Sequence, residues 1–177
     1  RRGGGLRRVC FCLDIAEPAD HAEIRSLLAR NPVPGRVVVS YEREPSYFAG
    51  CRTMGSFSQV VVARDESDGR IAAIACRTVR RRYVDGEARD VGYLGQLRVD
   101  ARYRGRWLVS RGFRFMADLH DDGRADDYIT TITREGDDAR RLLVELRRPH
   151  FPAFERVDEI VTLAIVACGR RRSRGVS

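Results

Sequence analysis

The hydrophobic positions along this chain follow two different periods, which predict a mixture of strands and helices. Segments that alternate between apolar and polar residues, or that are apolar throughout, predict strands at 9–15, 37–41, 57–64, 71–83, 88–99 and 128–133, with a closing hairpin from 154–157 to 160–166. Apolar residues three and four positions apart predict helices near 20–30, 105–120 and 137–147, with a short one after residue 44. Both kinds of element therefore contribute to the predicted core.

Several residues predict where these elements begin and end. Asp20, followed three residues later by Glu23, has the spacing of a helix capping box. Asp85-Gly86 between two apolar strands is typical of a two-residue hairpin turn. Gly92 and Gly95 inside a predicted strand indicate a β-bulge or a close approach of another group to the backbone.

The excess charge of the chain is concentrated at its two ends. Its 177 residues fit one domain, and the formal net charge is +8. All 33 basic residues are arginine, and eight of them lie in 1–8 and 170–174, which leaves 25 arginines and 25 acidic residues in between. We expect a flexible Arg/Gly-rich lead at 1–8, a single domain at 9–168 and a basic tail at 169–177. The ends are either solvated or contact nucleic acid, and the near-neutral body makes a nucleic-acid partner the weaker expectation.

Five cysteines and three histidines are scattered along the chain without the spacing of a zinc site. The sequence thus predicts no metal, and it predicts buried, inert thiols in a reducing compartment. No apolar run approaches the ~20 residues of a membrane span. The first residues also lack the apolar core of a signal peptide, which makes a cytoplasmic location the expectation.

The stretch from Leu97 to Leu108 carries the strongest chemical signal. An apolar strand leads into a turn with Gly105 and three arginines, and this turn opens an amphipathic helix. The first turn of a helix has backbone N–H groups without a partner in the helix, at the positive end of the helix dipole. Because glycine lets the backbone approach a ligand closely, this arrangement predicts a site for a pyrophosphate.

The same stretch resembles a known family. The run from Arg102 to Trp107, Arg-Tyr-Arg-Gly-Arg-Trp, is similar to the Gln/Arg-x-x-Gly-x-Gly/Ala signature of the GNAT superfamily of acetyl-CoA-dependent N-acetyltransferases. Trp107 stands where the family has a second small residue, and Val109 stands where another small residue is common. The element order β-α-α-β-β-β-α-β-α-β-β, from about Val9 to Cys168, resembles the family over nearly the whole chain.

The resemblance implies an α+β fold, with a mixed, mostly antiparallel central sheet flanked by helices. It also implies that the strand before the phosphate turn and the strand after its helix splay apart, and that acetyl-CoA enters the gap. The acetyl-CoA would then contact these residues: Leu97, Arg98, Val99, Arg102, Arg104, Gly105, Arg106, Trp107 and Leu108. The acetyl group would pass to an amine acceptor, which the sequence does not identify, and no metal is implied.

The candidates for the proton transfers are Glu135, Tyr93 and His150. Glu135 is either a base near the cleft or a residue at the start of a helix. His150 is either a proton carrier or an ordinary loop histidine, and Tyr93 is either a catalyst or a packed aromatic residue. Many relatives have a glutamate on the bulged strand and a tyrosine after the last helix, but here 93–99 has no carboxylate and 149–154 has no tyrosine. Backbone polarisation and proximity are therefore expected to supply most of the rate.

Two further points stay open from the sequence. Tyr41, Tyr47 and Phe48 either line the acceptor site or belong to the core. Trp107 and Val109, with the missing tyrosine, also suit a second hypothesis, which is a GNAT-like CoA-binding or regulatory domain with weak catalysis. An oligomer is compatible with both hypotheses.

Overall fold

The structure is a computed structural model that describes residues 10–35, 38–41, 43–105, 107–134, 141–145 and 151–161. Its strands are β1 (Phe11–Ile15), β2 (Phe57–Asp65), β3 (Ile71–Val84), β4 (Glu87–Val99) and β5 (Asp127–Thr130). Its α-helices are α1 (His21–Arg30), α2 (Tyr47–Arg52) and α3 (Leu108–His120). Short 3-10 turns lie at Pro18–Asp20 and Ala101–Tyr103, and a π-helical turn lies at Arg141–Glu145.

The strands of the described part form one sheet in the order β1-β2-β3-β4-β5. Each of the first four is antiparallel to its neighbour, and β5 pairs with β4 in parallel after the crossover through α3. Parallel neighbours need a long crossover of this kind, because a tight turn cannot join them. The predicted α+β fold with a mixed, mostly antiparallel sheet is confirmed.

Helices cover both faces of the sheet. On one face α1 and α2 pack in a buried cluster that includes Leu27, Tyr47 and Val62. On the other face the start of α3 packs in a second cluster, which includes Leu108 and Ala63. Because neighbouring residues of a strand point to opposite faces, Val62 and Ala63 assign the two clusters to opposite sides of β2.

The start of α1 differs from the predicted capping box. Asp20 does not cap the helix with its side chain, because its carboxylate accepts hydrogen bonds from the Glu17 backbone N–H at 2.8 Å and from Arg64 at 2.6 Å. The Glu23 carboxylate accepts from the backbone N–H of Ile71 at 2.8 Å. The predicted pairing of Asp20 with Glu23 is therefore wrong. Asp20 instead pairs with Glu17 three residues before it and with Arg64 of β2, while Glu23 pairs with the backbone of β3.

The predicted turns are present. Asp85 and Gly86 have φ of 52° and 82°, the left-handed pair that a type I′ hairpin requires. Gly123 follows α3 with φ of 65° and donates its backbone N–H to the His120 carbonyl at 3.1 Å. Local sequence is sufficient at these points, since each turn depends on the backbone angles of one or two residues.

Some extended segments are shorter than predicted or absent. β5 ends at Thr130 rather than at residue 133, and 38–41 contributes an isolated bridge between Val33 and Val39 rather than a strand. Residues 151–161 contain no strand, so the strand predicted at 154–157 is wrong. Val157 and Ile160 are 92% and 77% exposed there. An apolar pattern forms a strand only where a neighbouring strand can pair with it.

Several predicted features lie outside the described residues. They are the lead at 1–8, the basic tail at 169–177, most of the helix predicted at 137–147 and most of the strand predicted at 160–166. Of that helix, Arg141–Glu145 form the π-helical turn. The domain boundaries therefore stay predictions. Within the described ranges, no helix is both long enough and apolar enough to cross a membrane.

The described thiols form two groups with different exposure. Cys51 and Cys76 are buried, whereas Cys10 and Cys12 are exposed. The prediction of buried thiols is wrong for Cys10 and Cys12, because they flank the buried Phe11 and point to the opposite face of the strand. A hydrogen bond with Cys76 lowers the pKa of Cys51 to about 7. Among the described residues, no group of three or more His, Cys, Asp or Glu side chains is placed to hold a metal ion.

Candidate functional site

The sheet opens between β4 and β5. These strands pair from Val91 with Asp127 to Leu94 with Thr130. β4 then continues to Val99, whereas β5 has ended. Beyond Leu94, the edge of β4 has no strand partner on this side among the described residues, so a ligand can pair with its backbone. The Leu97 carbonyl accepts a hydrogen bond from Arg98 Nη1 at 2.7 Å. This geometry agrees with the splayed strands that the family resemblance implies.

A β-bulge lies where the two strands separate. Cys76 of β3 is opposite Gly95, but Ile74 is opposite Arg98, so β4 carries one extra residue here. Gln96 in the bulge has φ of 56°, a left-handed angle that is rare outside glycine. The glycines predicted a bulge in this strand, and the structure places it beside Gly95, at Gln96.

Gly92 and Gly95 make room for aromatic rings. A Cβ at Gly92 would lie 2.3 Å from the Tyr128 ring, and a Cβ at Gly95 would lie 2.5 Å from the Tyr93 ring. The Tyr93 hydroxyl and Thr131 Oγ1 are hydrogen-bonded at 2.7 Å. The predicted close approach to these glycines is therefore present, and Tyr93 bridges β4 to the segment that follows β5.

Buried Arg77 of β3 ties β5 to the sheet and to the end of α3. Its guanidinium donates two hydrogen bonds to Asp122 at 2.7 and 2.8 Å, one to Tyr128 at 2.8 Å and one to Gln59 at 2.9 Å. Arg77 is 1% exposed, and its bidentate pairing holds the pKa of Asp122 well below the usual range. The sequence does not predict this cluster, because no local signal distinguishes Arg77 from the other arginines.

The turn between β4 and α3 has the open geometry that a phosphate needs. Asp100 holds its first residues by accepting the Arg102 backbone N–H at 3.1 Å. Gly105 has φ of 76°, and a Cβ built there would meet no atom within 4 Å. α3 begins at Leu108, so the N–H groups of its first turn have no partner within the helix. The open space and these donors together fit an anionic group.

The arginines of this turn are not equivalent. Arg102 is paired with Asp100 through side-chain hydrogen bonds at 3.1 and 3.2 Å. This pairing lowers the pKa of Asp100 to about 2, and it offsets part of the positive charge that Arg102 would otherwise bring to a phosphate. Arg104 is exposed, and Arg106 lies outside the described residues.

Trp107 precedes α3 in a left-handed conformation, with φ of 60°. Its side chain is 69% exposed, so the indole is not part of the core. Glycine, which the related signature favours here, takes this backbone angle without the clash that a Cβ causes. The departure from the signature therefore has a cost in backbone strain.

Two substitutions at Trp107 measure that strain. We expect Trp107→Gly to be more stable than Trp107→Ala by about 1 kcal/mol in the free energy of unfolding, because alanine keeps the left-handed strain and glycine does not. Both variants lose the indole, so the difference between their unfolding free energies contains no contribution from the contacts of the indole. Urea denaturation checks this, and equal midpoints for the two variants would contradict the account.

Of the three catalytic candidates, Tyr93 is the one within the described part of the chain. Its hydroxyl lies where β4 and β5 separate and is engaged by Thr131. Glu135 and His150 lie outside the described residues, so their roles stay predictions. The binding candidates Leu97, Arg98 and Val99 lie on the end of β4 that continues beyond β5.

Tyr41, Tyr47 and Phe48, which the sequence assigns either to the core or to the acceptor site, differ in burial. Tyr47 is fully buried at the start of α2, and its Oη lies 2.5 Å from the side-chain amide of Gln96. Phe48 packs against the same core cluster, whereas Tyr41 is 47% exposed. Arg98 is half-buried near Tyr41 and Tyr47, and burial lowers its pKa. Tyr47 thus connects the core to the bulge, a contact that no sequence signal predicted.

No family model and no curated protein matches this sequence, but solved structures match its fold. A glucosamine-6-phosphate N-acetyltransferase from Arabidopsis thaliana is 20% identical, with a TM-score of 0.57 over 84% of this chain and 99% of that one. A predicted acetyltransferase with acetyl-CoA from Clostridium acetobutylicum is 11% identical, with a TM-score of 0.62 over 88% and 96%. A transcriptional regulator from Bacillus halodurans is 14% identical, with a TM-score of 0.63 over 88% and 100%.

The separated strands, the bulge and these matches define an α+β fold of the acetyltransferase type. The chain has the fold of the GNAT N-acetyltransferases. At these identities the likeness concerns the fold, and the chemistry rests on the site.

Proposed function

We propose that this protein is an N-acetyltransferase that transfers an acetyl group from acetyl-CoA to an amine. The observation that carries the proposal is the open edge of β4 beyond Leu94, which leads directly to the turn at Gly105 and the start of α3. An extended ligand can add to a strand edge through its amide groups, and an anion is stabilised at a helix start. One continuous stretch thus offers both kinds of contact that acetyl-CoA needs.

The residues of this stretch have different tasks in the proposal. The backbone of Leu97 to Val99 pairs with the amides of the pantetheine arm. The backbone from Arg104 to Leu108 receives the pyrophosphate, and the open space at Gly105 admits it. Arg104 and Arg106 add positive charge, whereas Arg102 is largely committed to Asp100.

The chemistry needs a donor for the developing oxyanion and a route for the protons. In this proposal a backbone N–H near Leu97, next to the bulge, stabilises the negative charge on the carbonyl oxygen. The amine attacks the carbonyl carbon, the carbon–sulfur bond breaks, and the thiolate that leaves takes a proton. In this proposal a water molecule that is hydrogen-bonded to Glu135 or to a strand carbonyl accepts the proton of the amine.

Binding and turnover test the proposal separately. Acetyl-CoA should raise the unfolding temperature and give a saturable isotherm, because a ligand that binds only the folded state stabilises it. A panel of amines, read by release of free thiol, should then contain an acceptor. An absence of binding at millimolar acetyl-CoA would refute the proposal.

Tyr93→Phe tests whether a single side chain carries the proton transfer. We expect kcat/KM to fall by less than about tenfold, because the hydroxyl is already bonded to Thr131 and one neutral hydrogen bond is lost. Glu135→Gln and His150→Ala should behave likewise. Tyr83→Phe, at a tyrosine 82% exposed near the β3–β4 hairpin, is the control. A loss beyond ~10³-fold with binding intact would identify the altered residue as a general acid or base.

A second candidate is a CoA-binding or regulatory domain with weak catalysis. The engaged Tyr93 hydroxyl and the strained Trp107 favour it, as does the fold match to a transcriptional regulator. Binding of acetyl-CoA without thiol release across the amine panel would select this candidate. Under either candidate, the single domain at 9–168 and the cytoplasmic location remain part of our proposal.

A further inference from the structure

The bulge of β4 is held by a side chain from another layer of the protein. Gln96 is at the extra residue of β4, two positions beyond Leu94, which forms the last pair with β5. Its φ of 56° is unfavourable for a residue with a Cβ, so interactions elsewhere must stabilise it. One such interaction is with Tyr47, whose Oη lies 2.5 Å from the Gln96 amide.

The Gln96 amide has a second partner, Arg43. With its nitrogen towards α2, the amide donates to Tyr47 Oη, and its oxygen accepts from Arg43 Nε at 3.0 Å. Arg43 Nη2 is a further donor to the same oxygen. The orientation of an amide is assigned from its hydrogen bonds, and this one satisfies both ends of the side chain.

Tyr47 itself is rigidly placed. It has no exposed surface, its backbone N–H donates to His21 Nδ1 at 3.1 Å, and its ring packs edge-to-face on Phe48 at 5.6 Å. Burial raises the pKa of Tyr47, so the phenol stays neutral and cannot serve as a base. A neutral, immobile hydroxyl is suited to positioning rather than to proton transfer.

We propose that Tyr47 and Arg43 act through the Gln96 amide as positioning residues, which fix the bulge and thereby direct the backbone N–H groups of β4 at the acetyl-CoA thioester. The proposal rests on the acetyltransferase function proposed above. It explains why a non-glycine residue is held in a left-handed conformation at the point where β4 leaves β5. It also gives α2 a role in the reaction without contact with the thioester.

Tyr47→Phe removes the hydroxyl and keeps the ring in the core. We expect kcat to fall about tenfold, with the KM and the dissociation constant for acetyl-CoA changed less than about threefold, because a lost hydrogen bond misdirects the oxyanion donor but leaves the binding surface in place. Gln96→Ala should have a similar effect. The double variant should be no worse than either single variant, since both remove the same interaction. Tyr83→Phe is the matched control.

Backbone hydrogen exchange separates a failure of this inference from a failure of the proposed function. In Tyr47→Phe, amides at 95–98 should exchange faster, while those of β2 should be unchanged. Unchanged exchange at 95–98 would show that Tyr47 does not hold the bulge, whether or not the protein turns over. Faster exchange with unchanged kcat would overturn the positioning role. A wild-type protein without turnover would refute the proposed function, and the exchange result would still decide whether Tyr47 holds the bulge.

Discussion

Gly105→Glu should abolish acetyl-CoA binding while the protein stays folded. A Cβ added at Gly105 would point into open space, which in the proposed complex receives the pyrophosphate. A glutamate there adds both bulk and a negative charge beside the phosphates. The affinity should fall at least ~100-fold, measured by titration calorimetry, since two like charges in contact oppose each other by several kcal/mol.

Gly86→Glu is the matched control for this experiment. Gly86 also has a positive φ, of 82° against 76° for Gly105, and its Cβ would also meet no atom within 4 Å. Both variants therefore carry the same backbone strain and the same added charge, but Gly86 lies in the hairpin between β3 and β4. We expect the control to bind acetyl-CoA like the wild type. If the two variants bound acetyl-CoA with equal affinity, the phosphates would not bind at the turn of Gly105.

Arg77→Met should cause the largest loss of stability of any single substitution considered in this protein. The guanidinium is buried and donates to Asp122, Tyr128 and Gln59. Its removal takes this donor from Tyr128 and Gln59 and leaves Asp122 with Arg124, through the backbone N–H at 3.1 Å and Nε at 3.2 Å. The free energy of unfolding should fall by about 3 kcal/mol, because each polar group that loses its partner in the folded protein costs ~1–3 kcal/mol. Arg82→Met, at an exposed arginine of the same strand, should change it by less than about 0.5 kcal/mol.

The loss at Arg77 should also depend on pH. Arg77 lowers the pKa of Asp122 in the folded state, so the pair stabilises the protein fully above the ordinary carboxyl value of about 4 and progressively less below it. The difference in unfolding free energy between the wild type and Arg77→Met should therefore narrow as the pH falls from about 5 to about 3. A difference that stays constant over this range would show that packing, rather than the ion pair, is what Arg77 contributes.

These two residues also differ in how far the sequence revealed them. The turn at Gly105 is predicted because a glycine between an apolar strand and an amphipathic helix is a local pattern with a direct physical meaning, and the structure has it with φ of 76°. Arg77 was not found, because its importance comes from partners on β2, β5 and the end of α3, between 18 and 51 residues away. Long-range partners leave no periodic signal in the chain.

The resemblance to a known family implied the fold class, and the sequence by itself determined the core helices, the long hairpin and the glycine turn before α3. These elements depend on apolar periodicity or on the backbone angles of a few neighbouring residues, so the information is local. It misplaced contacts that depend on surroundings, such as the partners of Asp20 and the strand at 154–157. Polar side chains and isolated apolar segments take whichever partners the folded sheet brings near them.

Tertiary structure alone decided the geometry of the candidate site. The separation of β4 from β5, the left-handed Gln96 and its contact with Tyr47 all arise where three elements meet. The chain shows glycines near this point, but not which residue bulges or what holds it. A local pattern can specify an element and its ends, whereas a hydrogen bond between distant segments exists only once packing has brought them together.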